Sequence, residues 1–392
     1  MALKIGHMSD THNKIEQIEE CLNSQEFIFK TSAKNNIDAM IHSGDIWDKS
    51  FPADDDGPQN DIITLYKKYS ENFPILIIRG NHDPKGSLKI FNHLNGTKIY
   101  ATEEPFETVV LTINGFKNIN NLNKYEIPIG VFHVITYPEL NLILTYDEVK
   151  SNKNRKLVFD KIKEFLTKSH KLNIWDAPNI TTFHGSIENY VKCDGQMVPG
   201  GEDIRLTPEL LNTGEPDYVA CGHIHKFQTF QPNYPNICYV GSSWAVNFGE
   251  QDDKFFCIVN LDKKKFEQTK YNIPIKRRIS EKINLEKDTL KDLKKMYDNL
   301  LLNKHDFLEL DIMYHKEQTA AIKDYKSIDN LKVYKILIKK KQNNIVLNKL
   351  EKCKNLDDEI AVFETYRNKK VDKETKNLLK DIYNQYKLSY DS

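Results

Sequence analysis

Five apolar runs in the 392-residue chain end in Asp, Asn or His. Asp10 and His12 follow residues 3–8, Asp45 follows 37–42, and Asn81, His82 and Asp83 follow 74–79. His184 closes 179–183, while His223 and His225 follow 217–221. Carboxylates, an amide oxygen and several imidazoles make a mixed oxygen and nitrogen donor set, which suits Mn, Fe, Zn or Co better than Mg or Ca. A carboxylate between two ions can bridge them at ~3.5–4 Å, an arrangement suited to in-line attack on phosphorus. The departing alkoxide needs a proton, so an imidazole that binds no metal is useful beside such a pair.

Presenting these residues together requires strands that end at one edge. The runs 3–8, 37–42 and 74–78 read as buried strands, separated by helices over 15–34 and 61–72. This β-α-β-α-β order defines a layered α/β domain with its chemistry at strand carboxyl ends. Further strands are expected over 98–113, 129–137, 179–183, 217–221, 237–240 and 254–261, with a helix over 151–170. Thr207 is expected to cap a short helix with Pro208 at its first position. Beyond residue 270 the reading is a helix over 280–303, strands at 305–314 and 331–338, and two amphipathic helices over 357–366 and 372–388.

The totals exclude some classes. No run of eighteen apolar residues exists, and the opening Met1-Ala2-Leu3-Lys4-Ile5 leads into a strand pattern, so a cytoplasmic protein with no membrane partner is expected. Six scattered cysteines without a CxxC pair read as reduced, mostly buried thiols. The net charge of zero hides an asymmetry: residues 261–392 carry 31 Lys and Arg against 22 Asp and Glu, and residues 1–260 carry 25 against 34. A basic C-terminal third behind an acidic, His-bearing part suits a metal-binding catalytic domain with a polyanion-binding appendage; a Lys-rich bias on solvated helix faces gives the same totals. His42 and His133, inside apolar runs, read as hydrogen-bonded core residues, Arg79 as the partner of a neighbouring acid, and Asp54–Asp56 as a solvated loop tip. The clusters Lys276-Arg277-Arg278 and Lys339-Lys340-Lys341 could contact phosphates.

Asp10-x-His12, Gly44-Asp45, Gly80-Asn81-His82-Asp83, His184-Gly185 and Gly222-His223-x-His225 resemble, in order, the five signature motifs of the calcineurin-like metallophosphoesterases. The resemblance implies a four-layer β-sandwich flanked by helices and two divalent metal ions, with Mn2+ the expected pair. It implies Asp10, His12, Asp45 and His225 on one ion and Asp45, Asn81, His184 and His223 on the other. Asp45 is the implied bridge, His82 the imidazole that protonates the leaving oxygen, and Asp83 the group that orients His82. A narrower resemblance, carried by Gly44-Asp45-Ile46-Trp47-Asp48, Tyr239-x-Gly241-Ser242 and Phe248-x-Glu250, is to the SbcD nuclease family. It implies a nuclease domain over 1–265, a small α+β capping and DNA-binding domain over 270–345, and a helical segment over 350–392 that binds a partner ATPase. The implied activity is metal-dependent 3′–5′ exonuclease and hairpin or single-strand endonuclease, on DNA, as a homodimer with an SbcC-type coiled-coil ATPase. Asp48 stands where some relatives carry a second catalytic histidine. The competing reading is another calcineurin-like phosphoesterase, acting on small phosphodiesters or phosphoproteins.

Overall fold

The computed structural model describes residues 2–48, 57–149, 154–196, 203–262, 265–284, 306–314, 335–342 and 356–367, with scattered single positions between 292 and 380. The chain divides into two compact units, Met1–Ile279 with His305–Phe307, and Ser280–Lys304 with Leu308–Ser392.

In the first unit, β1 (Leu3–Met8), β2 (Ala39–His42), β3 (Ile75–Ile78) and β4 (Ile99–Thr102) are successive parallel neighbours. Their connections include helices α1 (Ile18–Lys34) and α2 (Gly57–Ser70). Parallel strands with covered faces read as continuous apolar runs, which is why Ile75-Leu76-Ile77-Ile78 is wholly buried. Helix α1 forms because Cys21, Gln25, Ile28 and Phe29 recur on one buried face, with Glu19 and Glu20 in its first turn and Lys34 in its last, matching the helix dipole. It stops at Asn35, followed by Asn36 at a φ of 51°, a left-handed position asparagine tolerates.

A second sheet follows. Strands β5 (Phe106–Thr112), β6 (Gly115–Asn118), β7 (Gly130–Ile135), β8 (Asn179–His184), β9 (Tyr218–Gly222), β10 (Gln228–Phe230) and β11 (Tyr234–Tyr239) pair in the order β10-β11-β9-β8-β7-β5-β6. β12 (Phe255–Asp262) and β13 (Lys265–Asn272) then return to the first sheet, whose order is β13-β12-β1-β2-β3-β4. One core joins inward residues of both sheets, among them Ile5, Ile41, Phe132, Ile180 and Val240, and continues to Phe29 and Tyr66 of the helices outside the first sheet. A second core lies under helix α3 (Asn154–His170), where Val158, Ile162 and Leu166 meet Phe183, Val219 and Tyr239. The layers therefore run helix, sheet, sheet, helix.

Some expectations differ from the structure. The run 98–113 is two strands in different sheets, because Glu103 accepts from the backbone of Gly86 and Leu88 and Pro105 cannot donate to a ladder. The polar strand β13 has no apolar pattern to announce it; it forms an outer edge, where Lys and Glu belong. The helix expected over 61–72 starts four residues earlier, at Gly57. Thr207 does cap its helix, its hydroxyl accepting from Leu210 N at 3.2 Å ahead of Pro208.

Strands β14 (Arg278–Asn284), β15 (Phe307–Tyr314) and β16 (Lys335–Gln342) form a three-stranded sheet, most of whose residues belong to the second unit. The helix expected over 280–303 thus begins as strand, and most of its remainder lies outside the described residues. A helix covers Leu356–Arg367; most of the expected 372–388 helix, and Asp54–Asp56, also lie outside them. Five described cysteines are free and buried. No helix among the described residues is long and apolar enough to cross a membrane.

Candidate metal centre

The carboxyl ends of β1, β2, β3, β8 and β9 converge, so residues more than 200 positions apart, such as His12 and His225, meet. Four of the eight non-glycine residues with positive φ among the described residues are here: Asp10 (50°), His12 (39°), Asp45 (56°) and His223 (99°). Such conformations cost of order 1–3 kcal/mol each and persist where surrounding contacts over-determine them. Those contacts are visible. Asp10 N and His12 N donate to the carbonyls of Gly44 and Asp45 at 3.0 Å, and both Asp10 oxygens accept from His223 N at 3.1 and 3.0 Å.

Two wholly buried clusters result, beside a third group of His12, Asp48 and His82 at the exposed edge. In one, Asp10, His12 and His225 present donor atoms within 4.8 Å of one another; in the other, Asp45, His184 and His223 do so. Asp45 lies between them, its Oδ2 3.7 Å from His12 Nε2 and 3.3 Å from His184 Nε2. Asn81 Oδ1 lies 3.2 Å from His184 Nε2 and 2.8 Å from His223 Nδ1. All seven residues expected as ligands are thus brought together.

The hydrogen bonds behind the rings test whether a cation fits. His225 Nδ1 faces Glu250 Oε1 at 2.8 Å and His184 Nδ1 faces the Ser43 carbonyl at 2.7 Å, so each ring spends an N–H outward and leaves its Nε2 lone pair facing inward. His225 Nε2 is 3.0 Å from His12 Nε2, and His184 Nε2 faces only acceptor oxygens of Asp45 and Asn81. Lone pairs aimed at lone pairs call for protons or cations between them, and the mixed donor set suits divalent transition ions. Burial opposes a charge on His184, yet the Asp45 carboxylate holds its imidazolium up to about 9. Burial likewise opposes ionised Asp45, and the imidazoles of His184 and His12 hold its carboxyl well below the usual range. His223 is pushed down to about 3 by burial and by His184.

His82 is exposed at the edge of this cluster. Its N donates to Asp45 Oδ1 at 2.7 Å and its Nδ1–H to the Asp48 carbonyl at 3.1 Å, so Nε2 is the atom left to exchange a proton. Its ring lies edge-on to His12, with centroids 4.7 Å apart. The expected pairing of Asp83 with His82 is corrected here. Asp83 is buried and spends both oxygens on the backbone N–H groups of Asp45, Trp47 and Gly80, at 3.0, 2.9 and 2.8 Å. It knots the Asp45 and Gly80–Asp83 loops together and does not orient the imidazole. Burial and the charge of Asp45 push Asp83 up to about 7.

Asp48 sits 3.5 Å from His12 Nδ1, behind that ring. Two further residues have roles that the sequence does not signal. Gln196, 5% exposed, clamps the His223–His225 loop by donating to His223 O at 2.7 Å and accepting from His225 N at 3.1 Å. Glu250 stands out in the sequence only as a family marker; its contact with His225 crosses 25 residues and has no local sequence signal. Arg79 pairs with Glu139, and His42 and His133 bond to Thr11 and Asn179, as the sequence leads one to expect. Of the basic cluster, Arg278 is 2% exposed and paired with Glu20, while Arg277 pairs with Asp306 and keeps about half of its side chain exposed.

Residues 3–227 match the Calcineurin-like phosphoesterase family, and the chain belongs to that family of phosphoester hydrolases, whose members use a dinuclear metal site. Among individual proteins it is similar to the DNA double-strand break repair protein Mre11 of Saccharolobus solfataricus, 28% identical over 135 residues, 31% of this chain and 35% of that protein. It is also similar to the D component of nuclease SbcCD of Staphylococcus epidermidis, 24% identical over 256 residues, 63% of each chain. The matched region therefore spans less than two thirds of either relative. The crystal structure of a dimetal phosphatase from Danio rerio overlaps 69% of this chain and 99% of its own at a TM-score of 0.41 and 11% identity.

Proposed function

We propose that this chain is a Mn2+-dependent nuclease that hydrolyses DNA phosphodiesters. The observation that carries the chemistry is the pair of buried donor clusters meeting at Asp45, with the exposed His82 imidazole beside them. Asp10, His12, Asp45 and His225 would hold one ion, and Asp45, Asn81, His184 and His223 the other. Two such ions supply an activated water and neutralise phosphoryl oxygens. The chain's own residues do the rest. Asp83 fixes the loops that carry Asp45 and Asn81, Gln196 fixes the His223–His225 loop, and His82, through Nε2, gives the departing sugar oxygen its proton.

The choice of DNA rests on similarity to a double-strand break repair protein and to part of a nuclease, and on the excess of nine positive charges beyond residue 260. On this reading the enzyme acts from 3′ ends and on hairpins, as a cytoplasmic homodimer with an SbcC-type ATPase, in end processing and recombination. Residues 270–345 contact DNA and 350–392 the ATPase. Affinity for duplex then falls steeply with salt, as phosphate contacts require. The test compares an end-labelled duplex with a small chromogenic phosphodiester over a salt series in Mn2+. Salt-sensitive cleavage of the duplex supports the reading. Cleavage of the ester alone, with and without an SbcC-type partner, favours a small-phosphoester or phosphoprotein hydrolase.

A further inference from the structure

The two clusters differ in what stands behind their imidazoles. His225 is backed by a carboxylate, Glu250 Oε1 at 2.8 Å, whereas His184 is backed by a backbone carbonyl and His223 Nε2 is buried with no hydrogen-bond partner among the described residues. Glu250 is itself held. Its Oε2 accepts from Lys254 Nζ at 2.6 Å and Ser242 Oγ at 3.3 Å, and Asn247 Nδ2 donates to its Oε1 at 3.2 Å. Lys254 is 1% exposed, and its ammonium also donates to the carbonyl of His225 at 3.3 Å. A fully buried lysine is rare and costly unless paired. Here the pair grips His225 at two points, ring and backbone.

We propose that Glu250, locked by Lys254, is the positioning residue for the Asp10–His12–His225 half of the centre, fixing the His225 tautomer and ring so that Nε2 faces the ion. The proposal rests on the dimetal reading above. Carboxylates behind a ligating histidine raise its basicity and freeze its orientation, and their loss costs 10- to 100-fold in metal affinity. Among the described residues nothing comparable backs His223, so the effect falls on one ion and spares the other.

The alternative is that Glu250 merely balances the buried Lys254 charge. A paired replacement separates the two roles. Glu250→Leu with Lys254→Met removes both charges and the acceptor for His225 Nδ1–H and leaves no ion unpaired, while Glu250→Asp keeps the charge and draws the carboxylate away from His225. Mn2+ is titrated into the 392-residue chain by equilibrium dialysis, with thermal unfolding run in parallel. Wild type is expected to bind two ions. Both variants are expected to bind one ion as wild type does and the other about 10- to 100-fold more weakly. Two wild-type affinities in Glu250→Asp, or in the folded double variant, overturn the positioning role. A wild-type chain that binds fewer than two ions instead overturns the dimetal reading itself.

Discussion

Gly80→Ala subjects the architecture of the centre to a local test. A Cβ built on Gly80 would lie 2.1 Å from Asp45 Oδ1 and 2.4 Å from Asp45 N, where ordinary contact begins at 3.4 Å. The two loops must therefore separate by more than ~1 Å. Asp45 cannot yield without loss, because its N donates to Asp83 Oδ2, its Oδ1 accepts from His82 N, and Gly80 N shares the same Asp83 oxygen. Hydrogen bonds to charged groups contribute ~1.5–3 kcal/mol each, so losing two costs about 3–6 kcal/mol of stability. A displacement of 1 Å at the reacting groups costs about 100-fold in rate. Gly86→Ala is the control. A Cβ there meets nothing within 4 Å, although its φ of 88° imposes some strain. Hydrolysis of a small phosphodiester in Mn2+, with chemical denaturation, reads both quantities. Gly80→Ala is expected to fall in rate and stability together, and Gly86→Ala in stability alone. A Gly80→Ala enzyme within threefold of wild-type rate and ~1 kcal/mol of its stability refutes the reasoning.

Three other outcomes follow. His82→Ala should bind two Mn2+ ions by dialysis yet lose about 100- to 10,000-fold in turnover, and retained turnover would remove the imidazole from the proton transfer. Arg278 stacks over Trp244 and Phe307 and pairs with the buried Glu20, so Arg278→Met should cost about 3–5 kcal/mol in urea denaturation, through a buried carboxylate that loses its guanidinium and keeps only Lys276 beside it. Burial, with His42 and His170 respectively beside them, holds His7 and His133 at about 3, well below the unfolded value of 6.5. The unfolded chain therefore takes up more protons between those values. The stability these residues contribute is complete above pH 6.5 and is lost as pH falls toward 3, by about 1.4 kcal/mol per pH unit for each. A stability curve that is flat from pH 6.5 to 5 would contradict their buried, neutral state.

The site was legible because strand ends are legible: an aliphatic run followed by Gly and compact polar residues marks a strand's carboxyl end, and parallel strands align those ends. The same local signal says nothing of what lies behind each ring. Gln196 and Glu250 reach the centre from loops outside the motif strands, and Asp83, adjacent to His82, binds backbone amides of its own loop and of the Asp45–Trp47 loop instead of the imidazole. Fold boundaries failed where propensity and tertiary context diverge. Residues 98–113 look continuous because the switch between sheets needs only Glu103-Glu104-Pro105, and residues 278–284 have a helix-compatible sequence but pair with β15. Charge alone does not show that Arg278, within the basic cluster at 276–278, is buried against an acid 258 residues away, while Arg277 stays half exposed beside Asp306.

The most direct measurement is shortening of a 3′-end-labelled linear duplex by the wild-type chain and by Asp45→Ala, each in Mn2+ and in EDTA. Asp45 lies between the two donor clusters, so the account predicts metal-dependent loss of label in wild type and none in the folded variant. Cleavage that survives EDTA or the loss of Asp45 would contradict a dimetal centre as the seat of the reaction.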